Sequence, residues 1–290
     1  MKYDKSSATI SAYMPKGEFV CPTESSGKLN LIVDGRFIDS YKHLNHVAWG
    51  IYLETGRIKT AEEHGITVVG VPATSTFLQR TRIDYKDQIK EGDEIGIVTT
   101  SKNKDGLVVF DQKIIKPDSS KIVGEASTIY GQPDPELVIS SEQPLLDLSL
   151  KLDEDFFLLQ GQKIKHLAAP ACFEEERLRL LLSRGLTMEE LNKMGVFVMV
   201  ASIDVHYAKE MNIGQKVNIR TNVFNQGVKV IFIQQMVENG QVINEAQTIY
   251  VPIDITGEKP KIIRPPAQLM NRLTGHQIKD VPYSRDTRWL

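Results

Sequence analysis

The chain has 290 residues, with 35 basic and 37 acidic side chains and a formal net charge of −2. That near-balance gives no bulk electrostatic footprint for nucleic acid or a membrane surface. Its 41% hydrophobic content is close to the globular average and sufficient for a real core, in one large domain or two of ordinary size.

Two cysteines, Cys21 and Cys172, occur without CxxC or Cys/His spacing. The expectation is free thiols and no zinc site, with a single disulfide left open. The first residues lack the apolar stretch of a secretory signal, and the longest apolar run, 195–201, is far too short to span a bilayer. A cytoplasmic protein without a membrane span is expected.

In chain order, residues 1–27 read as an extension rich in proline and polar residues. A first unit, 28–132, reads as a strand at 28–38, a helix at 47–64 closed by Gly65, and strands at 75–85, 93–101, 107–116 and 121–130. Residues 133–153 read as a linker, since Pro133, Pro135 and Pro144 discourage regular structure. A second unit, 154–254, repeats the order: a strand at 155–165, a helix at 170–184 closed by Gly185, and strands at 196–207, 216–224, 229–238 and 241–252. Turn chemistry lies between strands at Lys104-Asp105-Gly106, Asn225-Gln226-Gly227 and Asn239-Gly240. Residues 255–290 form a C-terminal extension.

Three anchor pairs define this repeat. Glu54-x-x-Arg57 before Gly65 is mirrored by Glu174-x-x-Arg177 before Gly185, and Tyr85-x6-Gly92 by Tyr207-x6-Gly214. The run at 125–130, EASTIY, is mirrored by EAQTIY at 245–250. A helix followed by antiparallel strands can bury its apolar stripe only inside a curved sheet, and two such units side by side cover their edges. The expected class is α+β, with two tandem units of this kind.

Between the first strand and helix of unit one lies Asp39-x3-His43-x-Asn45-His46-Val47. Aligned without a gap, unit two has Leu159, Lys163 and Lys165 where unit one has Asp39, His43 and Asn45; His46 alone keeps a counterpart, His166. A polar cluster present in one copy of a shared scaffold points to chemistry. Asp39 can act as nucleophile or general base, with His43 and Asn45 orienting it or a water. The helix N-terminus at His46 and Val47 offers N–H donors for an oxyanion.

Each residue also has a plainer reading. Asp39 suits a turn or N-cap, and Asn45 an N-cap. His43 suits an ordinary loop histidine, and His46, being duplicated, a structural one. Glu54 and Arg57, also duplicated, read as a buried pair with a supporting role behind the site. Trp49 and Tyr52 read as core or as the wall of a substrate pocket. Arg80, Arg82 and Lys86 read as a solvated face, or as partners of a phosphate.

The order strand, Asp-x3-His-x-Asn, helix with Tyr52, Glu54 and Arg57, then four strands resembles the hotdog-fold thioesterases, of the 4-hydroxybenzoyl-CoA thioesterase type and the acyl-ACP thioesterases. Phe37, Lys42 and His46 depart from that motif. The resemblance implies a double hotdog that hydrolyses acyl-CoA or acyl-ACP, with Asp39, His43 and Asn45 at the reacting centre. It implies no cofactor beyond the CoA or phosphopantetheine of the substrate, and a homodimer of double-hotdog chains as a plausible assembly. Two alternatives stand beside it: hydration or dehydration of an enoyl thioester, and a non-catalytic acyl-thioester binding module.

Overall fold

The computed structural model describes residues 24–38, 42–64, 77–104, 107–131, 144–152, 158–159, 162–163, 167–257 and 259–275. Unit one runs β1 (Glu24–Ile32), a 3-10 turn (Gly35–Phe37), α1 (Trp49–Glu63), β2 (Phe77–Tyr85), β3 (Glu94–Lys104), β4 (Leu107–Lys116) and β5 (Lys121–Gly131). Unit two opens with β6 (Leu146–Lys151), the two-residue strands β7 (Leu158–Leu159) and β8 (Gln162–Lys163), α2 (Ala168–Ser183) and α3 (Met188–Lys193). It continues with β9 (Val196–Tyr207), β10 (Lys216–Gln226), β11 (Lys229–Glu238), β12 (Gln241–Asp254), β13 (Lys261–Ile262) and α4 (Ala267–Thr274). The α+β class is as expected.

One antiparallel sheet carries both units, in the order β1-β3-β4-β5-β2-β9-β12-β11-β10-β6, with β13 on β12. The two halves meet where β2 pairs with β9, Arg80 opposite His206 and Arg82 opposite Asp204. Tyr85 and Tyr207 are equivalent at an offset of 122 residues, and the same offset makes Arg82 equivalent to Asp204. The seam is therefore centred on a pseudo-two-fold axis, and pairing there removes both inner edges. Arg80 clamps Asp204 across it with two hydrogen bonds, 2.8 and 2.6 Å.

Of the expected first strand of unit two, 155–165, only 158–159 and 162–163 lie among the described residues, where they pair with each other as β7 and β8. The strand that pairs with β10 as β1 pairs with β3 is β6, inside the span read as linker. Leu146 lies opposite Thr221 as Gly27 lies opposite Thr99. The segment at 146–151, LDLSLK, alternates apolar and polar residues, the period of a half-buried strand. The first strand of unit one also ends earlier than expected, at Ile32, before the 3-10 turn. Gly65, Asp105 and Gly106 lie outside the described residues. Gly185 does follow α2 in the left-handed conformation, φ 64°.

The repeat extends to hydrogen bonds. In unit one, Arg57 donates to Gln112 Oε1 (2.9 Å) and Thr128 Oγ1 (3.0 Å), and Gln112 Nε2 donates to the Leu53 carbonyl (2.8 Å) and Thr99 Oγ1 (3.0 Å). In unit two, Arg177 donates to Gln234 and Thr248, and Gln234 to the Phe173 carbonyl and Thr221. Each helix is thus tied to three strands by a buried polar net whose members satisfy one another. Around each net, apolar side chains of helix and strands close the core, as Trp49 and Leu53 do with Ile95, Ile97 and Ile114.

Candidate active site

The loop before α1 is pinned on both sides. Leu44 N–H donates to the Ile89 carbonyl (2.8 Å), and Asn45 N–H to the Phe37 carbonyl (2.9 Å). Tyr85 Oη donates to the His46 carbonyl at 2.9 Å. Burial raises the Tyr85 pKa well above its ordinary value, with Glu174 and Tyr250 adding to it against the opposing charge of Arg177, so the phenol stays a donor.

Asn45 turns the loop into the helix. Its Oδ1 accepts from Val47 N–H (2.8 Å) and Ala48 N–H (3.4 Å), filling donors that would otherwise be orphaned at the start of α1. That bond fixes the amide plane, so Nδ2 points away from the helix and donates to Glu174 Oε1 at 3.3 Å. Glu174 belongs to α2 of the other unit. His46 Nε2 lies 3.5 Å from the same Glu174 oxygen and 3.3 Å from an Arg177 guanidinium nitrogen. Guanidinium only donates, so a neutral His46 ring accepts through Nε2 and carries its proton on Nδ1; a protonated ring donates to Glu174. Nε2 thus faces a fixed cation and a carboxylate at once, both partly shielded from water.

A cavity of about 410 Å³ opens at this cluster. Its polar wall includes His43, Asn45, His46, Asp87 and Gln88 from unit one and Glu174 from unit two. Its deeper wall is apolar and comes from unit two, including Leu181, Val198, Phe232 and Leu273. Asp87 at the mouth accepts from Lys121 Nζ (2.7 Å), a bond that holds its carboxyl below the usual range.

Among the residues singled out from sequence, His43, Asn45, His46 and Trp49 border this cavity. Asp39 lies outside the described residues, as do Lys165 and His166. Val47 is corrected: it is buried and its N–H is occupied by Asn45, so it does not face the cavity as an oxyanion donor. Of its two expected readings, Tyr52 takes that of a core residue. Its Oη accepts from Asp34 N–H (3.0 Å) and its ring packs edge-on against Phe37, so it braces the chain behind the loop rather than lining the cavity.

Glu54 and Arg57 form the pair that the sequence suggests, in the unit-one net and away from the cavity. Burial opposes the Arg57 charge, but Glu54 and Tyr130 beside it hold its pKa above the ordinary value. The pseudo-two-fold axis sets the loop of unit one against the helix of unit two, so their counterparts Glu174 and Arg177 stand at the site. Arg80, Arg82 and Lys86 pair with Asp204, Asp84 and Glu125. Sequence reasoning missed Glu174, Arg177, Tyr85 and Tyr250 as site residues. All four are repeat anchors, and their duplication gives them the appearance of scaffold in the sequence. Among the described residues, no cluster of three or more His, Cys, Asp or Glu is placed to hold a metal, and no helix is long and apolar enough to cross a membrane.

A family model for the thioesterase-like superfamily matches residues 165–273, the part of unit two that holds the apolar wall. The fold is similar to an acyl-ACP thioesterase from Bacteroides thetaiotaomicron, with a TM-score of 0.56 and 14% identity over 78% of this chain and 97% of that one. It is similar also to a 12:0-ACP thioesterase from Umbellularia californica, with a TM-score of 0.57 and 9% identity over 78% and 94%. A tesB protein from Mycobacterium avium subs paratuberculosis gives a TM-score of 0.50 and 8% identity over 82% and 95%. No curated protein sequence matches the chain. At these identities the structural likeness is one of fold, and it extends over nearly the full length of each relative. Residues 165–273 thus resemble the thioesterase-like superfamily, and the fold of both units is similar to that of the acyl-ACP thioesterases.

Proposed function

We propose that the chain hydrolyses acyl thioesters of CoA or carrier-protein type, with the thioester at the junction of the two units and the acyl chain in the apolar cavity. The observation that carries this reading is the meeting of Asn45 and His46 of unit one with Glu174 of unit two at the mouth of that cavity. A carboxylate takes a proton from water as its oxygen bonds to the thioester carbonyl carbon. Asn45 Nδ2, held by its own capping bond, donates to the oxyanion that forms. Collapse breaks the carbon–sulfur bond, and the departing thiolate takes a proton back from the protonated carboxyl or from His46.

Glu174 is the carboxylate that the geometry supports for the proton transfer. Asp39 is a second candidate, on the observation that it is polar in unit one and replaced by Leu159 in unit two. No cofactor enters this chemistry, because the substrate brings its own CoA or phosphopantetheine.

Thiol release from short, long and aromatic acyl-CoAs and from acyl-carrier protein tests the reading, with Asp39→Asn run beside wild type. Turnover by the wild type is expected. A folded protein that releases thiol from none of them overturns the proposal, and water addition to a crotonyl thioester without thiol release would replace hydrolysis by hydration. Loss of turnover in Asp39→Asn with full turnover in Glu174→Gln would move the base to Asp39.

A further inference from the structure

The two ends of the cavity differ in chemistry and in origin. Among the described residues, its polar lining comes from unit one apart from Glu174 and Tyr250, and every other lining residue of unit two is apolar. Tyr250 has its hydroxyl engaged by Arg177 at 3.0 Å. The distal end is closed by α3 and α4: Met188 and Leu191 from the first, Leu269 and Leu273 from the second. Leu269 and Leu273 are 1% and 2% exposed and pack with Phe232 and Leu180 in one cluster.

Helix α4 rests against β10, which lies three strands from β9 in the sheet. At about 4.8 Å per strand, the end wall stands roughly 14 Å across the sheet from β9. The equivalents of the cavity wall in unit one, Ala61, Val108, Phe110 and Tyr130, instead pack on one another. Phe110 meets Tyr130 edge-on there at 6.0 Å, as Phe232 meets Tyr250 at 5.1 Å.

We infer that the substrate is an unbranched aliphatic acyl thioester and that α4, through Leu269 and Leu273, sets its maximal length. This rests on the thioesterase reading of the same site. The lining at the distal end is leucine and methionine, flexible side chains that accommodate a chain of methylenes. Among the described residues it offers no polar partner there, so a ring hydroxyl or other polar group on the acyl end would be desolvated without a hydrogen bond. Each methylene that fits or fails to fit such a pocket changes kcat/KM by roughly 10-fold or more.

The experiment compares kcat/KM for an acyl-CoA series from four to sixteen carbons in wild type, Leu273→Trp and Leu273→Ala. The expected result is a long-to-short ratio that falls by at least about 10-fold in Leu273→Trp and rises in Leu273→Ala. General loss of folding lowers all rates and cannot raise that ratio, so the pair of variants separates the two effects. Leu269→Phe provides a second shortening variant. Displacement of a fluorescent fatty acid by free fatty acids of the same lengths reads the same profile without hydrolysis. Turnover with an unchanged ratio in all three variants overturns the inference and leaves the thioesterase reading intact. A length-dependent displacement profile that shifts with Leu273, in a protein that cleaves no thioester, upholds the inference and removes hydrolysis. A preference for benzoyl over straight-chain thioesters also overturns it.

Discussion

Asn45 performs two tasks with one amide: its oxygen caps α1 and its nitrogen faces Glu174. Asn45→Asp separates them, because aspartate is an equally good cap but cannot donate. It is expected to retain the wild-type melting temperature within a few degrees while turnover falls about 100-fold, the scale of losing one oxyanion donor. Asn45→Ala should lose turnover and about 1 kcal/mol of stability together. Calorimetry and thiol release on the same samples check both. A different buried group sets a pH dependence. Glu176 is buried in unit two, bonded to Thr221 and Gln234, and burial raises its pKa to about 7 against those bonds and the charge of Arg177. Because the folded value lies above the unfolded one, the native state holds a proton that the unfolded chain releases near pH 4.5. Stability should therefore fall as pH rises from about 4.5 to about 7 and level off above, by about 3 kcal/mol. Glu176→Gln is expected to remove that slope and melt higher at pH 8; an unchanged slope contradicts this. His43 and Asn45 were legible as site residues because unit two lacks them. Glu174 was not, because its local spacing is identical in both units and its task is assigned by a tertiary contact 129 residues away.

At the scale of elements, α1 is held to its sheet by Trp49, whose ring lies where β5 carries Gly124. A Cβ at that position would overlap the indole, a rigid ring with no free end to swing aside. Gly124→Ala should destabilise the protein by about 1–3 kcal/mol through overpacking, measured by denaturant unfolding. Trp49 also borders the cavity and stacks edge-on against Tyr85 at 5.0 Å. The same variant should therefore lower turnover by displacing the tyrosine that holds the His46 carbonyl. Most elements were legible: β4 has the bounds expected from the sequence, and the turn after β11 falls at the expected Asn239-Gly240, while Asn225 and Gln226 extend β10 and leave the turn to Gly227 and Val228. The strand β6 was misplaced because the prolines before it suggested an irregular linker, while its own two-residue period was the stronger signal. The short helices α3 and α4 went unread. Six and eight residues are too few to show a helical period clearly, and their stability comes from burying Leu191, Leu269 and Leu273 against unit two.

For the whole molecule, pseudo-symmetry organises the division of labour. One unit supplies the polar loop and the other the helix carboxylate and the apolar cavity wall, so the candidate site exists only while the seam holds. The Arg80–Asp204 pair crosses that seam with both side chains mostly shielded. Arg80→Ala leaves Asp204 without its clamp and should cost about 3 kcal/mol, whereas Arg80→Met with Asp204→Leu should recover most of it, as a double-mutant cycle would show. In the proposed reaction, a carboxylate from unit two serves a site whose loop belongs to unit one. Steady-state thiol release by Glu174→Gln tests it most directly. The substitution keeps side-chain size and an acceptor for Asn45 while removing the charge. A fall in kcat of about 100-fold or more, with an unchanged melting temperature, is the expected result. Wild-type turnover by Glu174→Gln would contradict it.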